Sequence, residues 1–297
     1  MDPVHNKSPG AQNSEPDWRR FFPDADHRWA MGLRRGEAGV FLAPTESSAS
    51  VCAERNHWLS TEPRTYAVLT KEAEPALAET VTFARSLGFA VRPEQSPRDR
   101  SSREESPFDQ LLSLGRVWES DFVWLVADKA GTRRVAGGVV CFPSHWDLSE
   151  KVGRTLSETH SVVPGLNAAL DRQIETFLDK IVPGDAWLRE NAGFSRSPEF
   201  NQHIKRPRTR LDVSVTVDEV WIRLEHQMLL KLPLTHSILF GIRVQVVPLR
   251  QVLNTPYAAT AMTRLLSTIS PEAADYKGLS DARETIRNIS SQATPAN

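Results

Sequence analysis

The stretch from Trp221 to Val247 constrains the fold of this 297-residue chain more than any other. WIRLEHQML and ILFGIRVQVV stand on either side of a short turn at Lys231–His236. The segments Glu219–Leu230 and Ser237–Val247 are long enough to pair as antiparallel strands. Side chains alternate between the faces of a strand, so Trp221, Arg223, Glu225 and Gln227 share one face and Ile222, Leu224, His226 and Met228 the other. In the second segment Ile238, Phe240, Ile242, Val244 and Val246 alternate with Leu239, Gly241, Arg243 and Gln245. Pairing would set a row of Arg, Glu and Gln on one sheet face, within reach of another Arg. Two readings follow: a half-solvated face laced with cross-strand ion pairs, or a polar pocket in which Glu225 and Arg223 or Arg243 stand against a ligand.

Upstream, FVWLVA, the turn residues Asp128–Thr132 and VAGGVVCF predict a β-hairpin. Apolar spacing predicts helices over Glu74–Leu87, Phe108–Val117, Leu166–Ile181 and Tyr257–Ser267, with a short one at Leu148–Val152. Residues 1–16 are a polar tail expected to be disordered, and the chain after Arg287 is expected to fray. The charged run RPEQSPRDRSSREESP reads as a mobile loop, because its flanks are too short to fold alone. Residues 17–287 thus form a single domain of strand, strand, helices, strand, strand, with a helical N-terminal extension.

Near-equal charge, 36 Lys and Arg against 37 Asp and Glu, argues against nucleic acid as the main ligand. Cys52 and Cys141 supply neither a disulfide framework nor a CxxC pair, and four cysteines are the usual need of an iron–sulfur cluster. No apolar run reaches the roughly 18–20 residues of a membrane span, so neither nucleic acid nor membrane is expected as a partner. A cytoplasmic location is the expectation.

Within CFPSHWDLSEKVGRTLSETHSVVPG, residues 141–165, His160 stands between a short helical pattern and Pro164-Gly165. A lone histidine is more often structural than a ligand. No HExxH, GxSxG, GxGxxG or P-loop is present. Cys141 reads as a buried small hydrophobe, with a haem thiolate as its other reading. His145 is the second candidate ligand.

Several motifs taken together resemble one family. HRWAMGL, VWESDF, FPS-x-W-x-L-x-EK-x-G followed by a His before Val-Pro, RLEHQMLLKLP with SILFGIRV, and YKGL occur in order from His27 to Leu279. They are similar to the haem-dependent oxidative N-demethylase α subunit. The resemblance implies an α+β, PAS-like fold: an antiparallel sheet with helices packed on one face and added N- and C-terminal helical segments. It implies haem b held between sheet and helices. It also implies oxidative demethylation of a methylated amine with dioxygen, releasing formaldehyde. Electrons would come from NADPH through FMN and a 2Fe–2S centre in reductase partner subunits.

On this resemblance His160 is the axial iron ligand, with an acceptor expected on its second ring nitrogen. Phe142 and Trp146 pack on the macrocycle. Arg223 or Arg243 stabilises the negative charge that builds on dioxygen, and Glu225 holds the protonated amine. The sequence departs from the family pattern at Ser161-Val162-Val163-Pro164, at Glu225-His226-Gln227 and at Val244-Gln245, the last where a Thr-Tyr is usual. These departures bear on the choice of amine. A haem PAS module that holds a gas without turnover is the alternative reading.

Overall fold

The computed structural model describes residues 15–91 and 106–293. The tail expected to be disordered lies almost wholly outside the described residues, and so does most of the run expected as a mobile loop. Among the described residues seven strands form one antiparallel sheet: β1 (Arg34–Gly36), β2 (Ala67–Leu69), β3 (Asp121–Ala127), β4 (Arg133–Val139), β5 (Ala186–Ser195), β6 (Trp221–Lys231) and β7 (Ile238–Pro248). Their order across the sheet is β1-β5-β6-β7-β3-β4-β2. The fold is α+β, as expected.

The β3–β4 hairpin turns at Asp128, whose Oδ1 accepts the N–H groups of Ala130 and Thr132. A register shift lies before the turn, at Trp124/Leu125. Nearby, Gly138, the cross-strand partner of Val123, has φ +151, and a Cβ there would sit 2.1 Å from the carbonyl oxygen of Phe122, so only glycine fits between the paired strands. β6 and β7 pair along their full length, from Trp221↔Pro248 to Lys231↔Ile238. The turn between them is held by the Glu79 carboxylate, which accepts the N–H groups of Leu234 and Thr235.

β5 has no counterpart in the sequence reading. Its centre, Arg-Glu-Asn-Ala-Gly, lacks β-branched and aromatic residues, so its strand character comes from pairing with β6 and not from propensity. The short helix expected at Leu148–Val152 is a turn. Gly153 and Val135 exchange strand-like bonds with the chain there (Gly153 N–H to Val135 O, Val135 N–H to Arg154 O), which pulls it back to β4 after one turn. Beyond Arg287 the helix Arg283–Gln292 continues, with Ile286 and Ser290 buried, where fraying was expected.

Helices cover both sheet faces. The crossover helix Leu166–Lys180, as predicted, packs on the face that carries Val123, Leu125, Val135 and Ile238. The helices Ser48–Thr61, Glu74–Ser86 and Pro107–Val117 belong to the N-terminal part of the chain and bury Phe122, Trp124, Val139 and Leu239 on the other face. Pro256–Thr268 and the helices after it close the β5–β6 end over Ile222 and Leu224.

Candidate functional site

Between the sheet and the crossover helix lies a cavity of about 700 Å³, within the range of roughly 300–1,000 Å³ usual for ligand and cofactor sites. The β-register explains its chemistry. Arg189↔Gln227, Asn191↔Glu225 and Gly193↔Arg223 are direct cross-strand partners, so these residues of β5 and β6 share the cavity face. Further across the sheet the same face is apolar, with Phe240 and Ile242 of β7, Val123 and Leu125 of β3 and Val135 of β4. Leu170, Ile174, Phe177 and Leu178 of the crossover helix form the opposite wall. One end can take a flat apolar body and the other a charged group.

Glu225 is the centre of the polar end. Its Oε1 accepts from Ser144 Oγ at 2.9 Å, and its Oε2 accepts from Asn191 Nδ2 at 3.0 Å and Gln227 Nε2 at 2.9 Å. Arg223, 2% exposed, is spent on structure. Its Nε donates to Ser144 Oγ at 3.2 Å, Nη1 to the Glu199 carbonyl at 2.9 Å, and Nη2 to the carbonyls of Phe142 and Phe200, both at 3.1 Å. It therefore fixes the loops that frame the cavity and orients Ser144 against Glu225.

His160 also lines the cavity. It ends the helix Leu156–His160, which a Thr155–Glu158 capping box starts. Pro164 and Gly165 then redirect the chain. The Pro164 carbonyl accepts Trp29 Nε1 at 2.9 Å, and Gly165, at φ +73, opens the crossover helix. Trp29, from the HRWAMGL motif, thus ties the loop after His160 to the N-terminal segment. Burial lowers the His160 pKa below its ordinary value, and the Arg189 charge adds to the effect. The ring is neutral at pH 7, as an imidazole ligand must be. No protein acceptor for its second ring nitrogen is found among the described residues.

The other sequence candidates divide. Trp146 and His145 line the cavity; His145 has φ +62 and is pushed down to about 4, chiefly by burial and then by Arg208 and Arg223. Phe142 does not line it: the ring packs against Phe200, 5.3 Å between centroids, and under Arg55. Cys141 is fully buried beside Asp121 with its thiol pushed up to about 12 by burial, which suits a small hydrophobe and not a thiolate.

Arg243 lies on the opposite sheet face, because it is the cross-strand partner of His226 and so cannot share a face with Glu225. There it donates to the Phe41 carbonyl at 3.0 Å and borders a separate cavity of about 320 Å³. The expectation that it meets the Arg-Glu-Gln row fails on register.

His226, beside Arg243, carries a testable consequence. Burial, then Arg243, with smaller effects of Arg34 and Arg20, pushes it down to about 4 from 6.5, against a hydrogen bond with Gln245; its β5 neighbour Glu190 is paired with Arg34. The unfolded chain therefore binds this proton more readily than the folded one, so stability is full above about pH 6.5 and declines as pH falls toward about 4. His226→Gln is expected to flatten that decline in urea midpoints measured across the window. An unchanged slope would count against it.

Residues of the site absent from the sequence candidates come from distant segments. Arg189 and Asn191 belong to β5. Tyr276 and Lys277 belong to the YKGL motif, where Gly278, at φ +68, leaves room for the Arg208 guanidinium. Lys277 Nζ donates to the Ala192 carbonyl at 3.1 Å and stands 6.0 Å from the centre of the Trp29 ring. The motif itself was the available signal.

A haem fits these residues. Among the described residues no group of three metal-binding side chains gathers to hold a bare ion, whereas haem iron needs only one protein ligand and an apolar slot. Among the described residues Arg189 Nε, buried at this site, has no hydrogen-bond partner, and a guanidinium donor suits an anionic group. The model of the family described as haem-dependent oxidative N-demethylase, alpha subunit-like, matches residues 49–287, most of the chain and nearly all of the cavity's lining, and the chain belongs to that family.

Proposed function

We propose that this chain is the haem-bearing subunit of an oxidoreductase that demethylates an N-methylated amine. The carrying observation is that His160 and the Glu225 network line one cavity that is otherwise largely apolar. The PAS-like reading is supported by the β3–β4 hairpin, the helical crossover, and a β5–β6–β7 meander that returns beside β3.

In this reading His160 would hold the iron of haem b, and Trp146 with the apolar side chains of β7 and β3 would enclose the macrocycle. When bound, haem supplies dioxygen activation, using electrons that enter from NADPH through FMN and 2Fe–2S in partner subunits. The protein's residues do the rest. Glu225 accepts an N–H of the amine, while Ser144, Asn191 and Gln227 hold its carboxylate in place. Arg223 supports Ser144 from behind and serves as a positioning residue. In the overall reaction one oxygen atom of dioxygen would enter a methyl C–H bond of the amine held by Glu225, and the other would leave as water with two electrons from the partner subunits and two protons. The hydroxymethyl amine then loses its O–H proton to nitrogen as the C–N bond breaks, giving formaldehyde and the shortened amine.

The test is formaldehyde release from a panel of secondary and tertiary methylamines by the haem-loaded chain, supplied with dioxygen, NADPH and a flavin/2Fe–2S reductase. One formaldehyde per amine consumed is expected. Glu225→Gln is expected to raise KM roughly tenfold, the scale of one lost charge-assisted hydrogen bond. Haem binding with no formaldehyde from any amine would leave a gas-binding module in place of an enzyme.

A further inference from the structure

The charge around Glu225 does not suit a cationic amine alone. Among the described residues five Lys and Arg side chains line the cavity, against two carboxylates, Glu150 and Glu225. Three of the cations, Arg189, Arg223 and Lys277, lie close enough to Glu225 to feel its charge. Arg223 is fully engaged by carbonyls and Ser144, as described above. Arg189 and Lys277 are not. Arg189 Nε has no hydrogen-bond partner among the described residues. The two carboxylates whose fields reach it are taken: Glu190 by Arg34 at 2.6 Å, and Glu225 by three neutral donors. Among the described residues Lys277 Nζ donates to the Ala192 carbonyl alone, and it and Arg189 repel one another. Two neighbouring half-buried cations with spare donors, at the polar end of an otherwise apolar slot, are costly unless anionic groups are added.

We propose that Arg189 and Lys277 bind the two carboxylates of the haem edge, and that this neutralisation leaves Glu225 free to receive the amine. The assignment rests on the haem reading above and extends it to two residues that reading does not use. Haem carries two propionates on adjacent pyrroles, which matches two adjacent cations. Arg suits a forked contact with carboxylate, and Lys a point contact. Arg189 also lies close enough to His160 for its charge to act on the ring, so the two residues could serve one bound haem.

The experiment compares iron protoporphyrin IX with its dimethyl ester, which keeps the macrocycle and iron but loses both charges. Each is titrated into the full chain, with the Soret band and tryptophan quenching as readouts. The wild type is expected to bind the free acid roughly tenfold or more tightly than the ester, the scale of charge-assisted hydrogen bonds. Lys277→Met and Arg189→Gln are expected to shrink that ratio several-fold with ester affinity unchanged, while Lys277→Arg keeps it. Equal wild-type affinity for acid and ester overturns the assignment and leaves the haem reading standing. Equal loss of both ligands in the variants, with helical circular dichroism intact, also overturns it, because that marks a packing role. Binding of neither porphyrin removes the haem reading and this assignment with it.

Discussion

Replacing His160 with alanine is expected to lower haem affinity by on the order of 100-fold or more, because the loss of a mere outer-shell partner already costs about 10–100-fold at metal sites. The ring stands at the end of a capped one-turn helix, and its loop is anchored by Trp29 and Pro164, so its removal should spare the surrounding fold. The measurement is the Soret spectrum of the reconstituted chain, oxidised and then reduced under carbon monoxide. A weak or shifted band in His160→Ala, restored by added imidazole, is the expected result. His145→Ala is the control. That ring lines the same cavity and is neutral too. Should His145→Ala lose the band while His160→Ala keeps it, the ligand is His145.

The second large effect lies beneath the site. Arg55 and Asp121 form an ion pair at 2.5 Å, with exposures of 0% and 1%. Asp121 also accepts the N–H groups of Cys141 at 2.8 Å and Phe142 at 2.9 Å, and Arg55 Nε donates to the Gly115 carbonyl at 3.0 Å. This pair fastens the exit of the β3–β4 hairpin just where the chain enters the FPSHW segment that frames the cavity. Arg55→Met is expected to cost about 3–5 kcal/mol, since it strands a buried carboxylate that burial already pushes toward the protonated form. Urea unfolding measures the loss. The double substitution Arg55→Met with Asp121→Asn should recover part of it by removing the stranded charge. A single-variant loss below about 1 kcal/mol would contradict the role given to the pair.

The substitutions at Arg55 and at His160 also differ in what they should leave intact. His160→Ala removes a ligand from a standing cavity, so the unfolding midpoint of the haem-free chain should be nearly that of wild type. Arg55→Met weakens the frame itself, through Phe142, whose carbonyl accepts from Arg223. Haem affinity should then fall together with stability.

What the sequence determined by itself follows from local periodicity. The period-2 runs of β6 and β7 placed Arg223, Glu225 and Gln227 on one face without any knowledge of the fold, because alternation is a property of the extended backbone. The crossover helix was readable from its apolar stripe, and the hairpin from Asp128 and its glycine. His160 stood out only through the family motif around it. Tertiary structure decided the remainder. Cross-strand register sent Arg243 to the far face with His226, a fact no single strand contains. β5, with Arg-Glu-Asn at its centre, became a strand because β6 offered it an edge, and so brought Arg189 and Asn191 to the cavity. Lys277 arrived from 85 residues beyond Ala192, whose carbonyl holds it. Local pattern marks which side chains can share a face. Only long-range pairing, driven by burial of the apolar faces, selects which of those faces meet around one space.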